Sequence, residues 1–98
     1  MKTKQKSDYK FTPAYFRELL EKQEYKCYLS GRELTTENVE AEHIQPLSKQ
    51  GKHEPSNICL VIDATRELKR YNTEEEIYLI AKDIVKTYEA KNKNSKSK

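Results

Sequence analysis

The sequence predicts an α+β fold in which a small sheet is held between helices. Three observations carry this. Residues 58–62, Ile-Cys-Leu-Val-Ile, are an unbroken apolar run of strand length. Apolar residues recur at helical spacing near both ends of the body, over 15–23 and 77–88. The strand-like runs lie together in the middle and the helical ones outside, and that segregation marks α+β rather than α/β.

The elements follow in order. Residues 1–10 are polar and lysine-rich and read as a disordered tail. Thr12-Pro13 opens a helix, with Thr as N-cap and Pro where a missing N–H costs nothing. Tyr15, Phe16, Leu19, Leu20 and Gln23 share its inner face, so a helix is expected over about 13–25. Residues 26–29 are extended, Ser30-Gly31 turns the chain, and Arg32–Thr35 returns. Val39–Ile44 alternates as a strand with one wet face, and Pro46 should end it. Residues 45–56 hold Pro46, Gly51 and Pro55 and form a loop long enough to be functional. After the 58–62 strand, Asp63 starts a short basic helix over 64–70, and Asn72-Thr73 breaks it. Thr73 with Glu76 is a capping box that opens a last helix over about 74–89. Residues 91–98 read as a second disordered basic tail.

Composition bounds the rest. The chain has 98 residues, 35% hydrophobic and 36% charged, so one domain over 11–90 with a thin core is expected. The net charge of +3 is uneven. Residues 1–10 carry four lysines against one aspartate and residues 91–98 carry four lysines, which leaves the body acidic at −4. Basic ends of this kind attract polyanions; solvated termini are the competing explanation. No apolar run is long enough to span a membrane, no signal peptide opens the chain, and two cysteines do not make a disulfide scaffold. A cytoplasmic location with both thiols reduced is expected.

The chemistry-bearing stretch is Glu40-Ala41-Glu42-His43-Ile44-Gln45-Pro46-Leu47, followed by Asn57 and by Arg66-Glu67-Leu68-Lys69-Arg70. Phosphodiester hydrolysis needs a base for water, a cation for the developing charge and a frame for both. Histidine titrates near neutrality, and carboxylates are hard ligands suited to Mg²⁺. Neighbours on a strand face opposite ways, so Glu42 and His43 serve one site only where the strand ends. His53, in the loop beside Lys49 and Lys52, could touch a phosphate but reads as a solvated histidine.

The ordered set Cys27-Tyr-Leu-Ser-Gly, Glu42-His-Ile-Gln-Pro-Leu-Ser, Gly51, Ser56-Asn57-Ile58, Leu60-Val61 and Leu68-Lys69-Arg70 resembles the HNH endonuclease family. The resemblance covers about Tyr25 to Tyr71 and runs weakly into the Thr73–Ile77 helix start. It implies a ββα-metal core, a two-stranded antiparallel sheet with a helix, here flanked by an N-terminal and a C-terminal helix. It also implies a DNA endonuclease that uses Mg²⁺, Mn²⁺ or another divalent ion. One such site nicks one strand, so a homodimer or larger nuclease complex is an open alternative for double-strand cleavage.

By that resemblance His43 is the general base and Asn57 braces the loop and orients it. Glu42 stands where the family usually has a metal-binding aspartate. Arg66, Lys69 and Arg70 face nucleic acid. The family's last position is a helical His or Asn that binds the metal, and here it is Arg66, which has no lone pair to give. Three accounts stay open: Asp63 supplies the oxygen, Glu42 holds the ion alone with waters, or the site is degenerate and Arg66 binds phosphate in the cation's place. The last makes the chain a non-catalytic nucleic-acid-binding module. A protein-interaction domain without a nucleic-acid role is a third reading and leaves Glu42-His43 and Asn57 unexplained. Many members hold a structural zinc with two Cys-x-x-Cys pairs. The matching positions are Cys27, Ser30, Ile62 and Thr65, one thiol of four, so no structural zinc is expected. Cys27 and Cys59 are expected to be small buried hydrophobes.

Overall fold

A computed structural model describes residues 10–96. The expected tail at 1–9 and the last two residues lie outside it. The described chain is α+β: α1 (Pro13–Lys22), β1 (Val39–His43), β2 (Ile58–Ile62), α2 (Arg66–Tyr71) and α3 (Glu74–Lys96), with short 3₁₀ turns between them. β1 and β2 are antiparallel, with Glu42 opposite Cys59 and His43 opposite Ile58. No helix among the described residues is long and apolar enough to cross a membrane.

Both strands sit where apolar patterning places them, and all five residues of β2 are buried. The core gathers on β2, with Leu60 and Val61 wholly enclosed and Leu19, Cys27 and Leu34 packed against them. Thr12 caps α1 by accepting from the Tyr15 N–H at 3.1 Å. α1 ends at Lys22 rather than near 25, because Glu24 and Tyr25 adopt φ of 56° and 59°, where helix cannot continue. The Gln23 side chain then takes over as a connector. Its Oε1 accepts from Leu60 N at 3.0 Å while its Nε2 donates to Leu60 O at 3.0 Å and Lys26 O at 2.8 Å.

The turn at 26–33 closes on a single antiparallel bridge between Lys26 and Glu33, with Gly31 at φ 75°. It delivers Cys27 to the back of β2. There Ser30 N and Ile62 N each donate to Cys27 Sγ at 3.4 Å, and Thr65 Oγ1 lies 3.9 Å from it. The four positions matched to zinc ligands therefore meet around one sulfur. Burial alone would raise the Cys27 thiol, but these hydrogen bonds outweigh it and draw it below its usual range. Burial pushes the Cys59 thiol up to about 12, which makes it inert packing.

At the other end the capping box forms. Thr73 N donates to Glu76 Oε1 at 2.8 Å and Glu76 N to Thr73 Oγ1 at 3.1 Å. α3 then runs through Lys96, well past 89, so residues 91–96 are helical where a disordered tail was expected. The reason is local. No Gly or Pro follows Pro55, and an Ala/Lys/Asn stretch has nothing to stop a helix already nucleated and capped.

Candidate functional site

β1 alternates, so Glu40 and Glu42 point to one face, while Arg66 and Arg70 lie one turn apart on α2. α2 packs on β1 and brings these two faces together. Arg70 Nε donates to Glu42 Oε2 at 3.1 Å, and Arg66 Nε lies 3.6 Å from the same oxygen and 3.8 Å from Glu40 Oε1. Glu42 is only 4% exposed, whereas both arginines are roughly half-exposed. A buried carboxylate without a partner would be costly, and here two permanent cations answer it. The Arg66 Nε is itself out of solvent and makes no hydrogen bond.

His43 ends β1, so the alternation that separates it from Glu42 stops there and both line one cleft of about 370 Å³ with Leu47, Ser48, Arg70 and Tyr71. Its Nε2 stands 3.0 Å from His53 Nδ1, and the rings meet edge to face at 63°. Burial first, and then the His53 ring, hold the His43 imidazole below its usual range, so it is neutral around pH 7. His53 is thus a site residue that sequence reasoning set aside. A loop histidine just after Lys52 carries no periodic signal, and only the fold of the loop brings it back to β1.

Asn57 ties down that loop. Its Oδ1 accepts from Gln45 N at 2.8 Å, and its Nδ2 donates to Gln45 O at 3.0 Å and Lys52 O at 2.8 Å. With Ile44 N donating to the Asn57 carbonyl at 2.8 Å, one residue clamps both ends of the segment that carries His53. Gly51 lets the loop close: a Cβ there would stand 1.9 Å from the Gln45 carbonyl oxygen.

Lys69, expected to face nucleic acid, is instead buried: it is 0% exposed and its Nζ donates to Asn72 O at 2.8 Å. It stitches the end of α2 to the break before α3, and burial lowers its pKa. Of the three basic residues expected to meet phosphate, Arg66 and Arg70 reach the surface and Lys69 does not.

The donor set does not fit the catalytic metal that the resemblance implies. Among the described residues no three His, Cys, Asp or Glu side chains converge as a cation would need. Asp63 does not line the cleft, and Glu42 already faces two guanidinium groups. No protein-family model and no curated protein matches the chain.

Proposed function

We propose that this chain is an HNH-type domain that grips the phosphodiester backbone of DNA at the Glu42–His43 cleft. The guanidinium groups of Arg66 and Arg70 supply the positive charge that the family otherwise takes from a metal. One observation carries this reading: Glu42 is buried beneath two arginines, at 3.1 and 3.6 Å. A carboxylate so neutralised is a poor seat for a dication, while half-exposed guanidinium forks suit phosphate oxygens.

The test is fluorescence anisotropy with a labelled duplex across a salt series. Affinity is expected to fall linearly with salt on logarithmic axes, and Arg66→Gln/Arg70→Gln to reduce the slope by about two. Equal slopes in wild type and variant would place the phosphate contacts elsewhere and overturn the proposal.

Hydrolysis is the second reading, and His43 favours it. A neutral imidazole can take a proton from water as its oxygen attacks phosphorus and one P–O ester bond breaks, the leaving alkoxide being protonated by solvent. The arginines would then face the charge that gathers on the phosphate. Plasmid nicking separates the cases. Nicking that survives chelator and is lost in His43→Ala supports arginine-assisted hydrolysis. Nicking only with Mg²⁺ or Mn²⁺ restores the metal-dependent enzyme. Equal traces from wild type and His43→Ala leave binding alone.

A further inference from the structure

Leu47 and Tyr71 line the same cleft as His43 and Arg70, yet they stand out of the core at 53% and 54% exposed. One exposed apolar side chain needs no explanation. Two large ones at a site that gathers arginines do, in a chain whose core is short of apolar residues.

The fold fixes both positions. Leu47 follows Pro46, which is fully buried, and opens the short turn Leu47–Lys49. Lys49 N donates to Pro46 O at 2.9 Å, Gln45 Nε2 to Lys49 O at 3.0 Å, and Lys49 Nζ to Glu76 Oε2 at 2.8 Å. Tyr71 is the last residue of α2, and that end is stitched by Lys69 Nζ to Asn72 O and by Asn72 Nδ2 to Leu68 O at 3.0 Å. Neither backbone position can move inward without breaking these bonds. Glu42 first, and then the Tyr71 hydroxyl, hold the Arg70 guanidinium charged, so the aromatic ring and the cation that meets phosphate act at one place.

Beside a phosphate site, an exposed aromatic ring has a natural partner in nucleic acid: the face of a base. In a duplex the neighbouring base pairs cover that face, whereas in a single strand it is open to a side chain. A leucine next to it can pack into the gap between unstacked bases. We propose that the cleft selects single-stranded DNA over duplex, with Tyr71 stacking on an unpaired base, Leu47 packing beside it, and Arg66 and Arg70 holding the phosphates. The inference rests on the reading of the cleft as a phosphate-backbone site.

Fluorescence anisotropy on the full chain tests it, with one labelled oligonucleotide offered as a single strand and as a blunt duplex at equal salt. Wild type is expected to prefer the single strand about tenfold. Tyr71→Ala is expected to erase that preference and Leu47→Ala to reduce it, both with unchanged circular dichroism spectra, since both side chains are exposed. Tyr71→Phe keeps the ring and is expected to keep the preference, which separates stacking from the hydroxyl beside Arg70. Wild type that binds duplex as tightly as the single strand, with a salt slope that still depends on Arg66 and Arg70, overturns this inference alone. A preference that survives Tyr71→Ala overturns it too. Binding to neither form overturns it together with the phosphate reading.

Discussion

Glu42 and Cys27 make an instructive pair. Each stands where the resemblance places a metal ligand, one at the end of β1 and one behind β2. Each is met by protein groups in the fold. Glu42 receives two guanidinium groups carried on α2. Cys27 receives backbone N–H groups from Ser30 and Ile62. The first solution is built from side chains that also face solvent, so it can exchange partners with an incoming anion. The second is enclosed and made of main chain, so it can only hold the fold. The same task of satisfying an electron-rich atom leaves one region open to ligands and the other purely architectural.

The largest expected effect is at the turn that carries Cys27. Ser30→Cys/Ile62→Cys/Thr65→Cys would place four thiols around the position of one. We expect the variant to bind one zinc ion and to lose a large part of its thermal stability when chelated, as structural zinc sites do. Metal analysis with melts in the presence and absence of chelator checks this. A variant that takes up no zinc would show that the four positions meet in space without the geometry of a site.

At the cleft the expected effect is smaller and asymmetric. Arg66→Ala/Arg70→Ala leaves the Glu42 carboxylate buried and unpaired, at a cost of about 3 kcal/mol. Glu42→Ala leaves two half-exposed guanidinium groups that water can serve, at about 1 kcal/mol. Urea unfolding of both variants reads the difference; equal losses would mean that Glu42 is not effectively enclosed. Gly51→Ala tests the loop. Its Cβ would meet the Gln45 carbonyl, so the loop must move, at about 2 kcal/mol. The His43–His53 ring contact should loosen, visible as a shift of the His43 imidazole resonances.

The smallest effect is on pH. The His43 pKa is lowered in the folded chain, so above about pH 6.5 folded and unfolded states bind the same number of protons at this residue. As pH falls through the unfolded value toward the folded one, only the unfolded chain takes up the proton, and stability declines. The urea midpoint of wild type should drop across that window, and His43→Ala should flatten the drop.

Much of this was legible in the residues. The apolar run 58–62, the Thr12-Pro13 start and the Thr73/Glu76 box each follow from local rules, and each forms. Glu42, His43 and Asn57 could be named because their order along the chain is informative. Lys69 is not legible locally, because a lysine on a short basic helix looks solvated and only the turn at Asn72 supplies the acceptor that draws it inward. His53 and the Gln23 bonds depend on contacts between residues 10 and 37 positions apart, which no local pattern encodes. The extension of α3 had a signal, the missing stop residues, outweighed by composition.

Gln23 has a consequence for how the chain survives stress. β2 is its most apolar segment, and one side of that strand is not covered by β1. The Gln23 amide occupies Leu60 N and O there, while Tyr28 N also reaches Leu60 O and Cys27 Sγ accepts from Ile62 N. A strand from another molecule therefore finds the outward groups of Leu60 and the Ile62 N–H already taken, which blunts this edge as a template for intermolecular β-structure. That protection is only as durable as the docking of α1. Aggregation on heating should begin when α1 peels away, before global unfolding, and Gln23→Leu should lower its onset temperature more than it lowers the melting temperature.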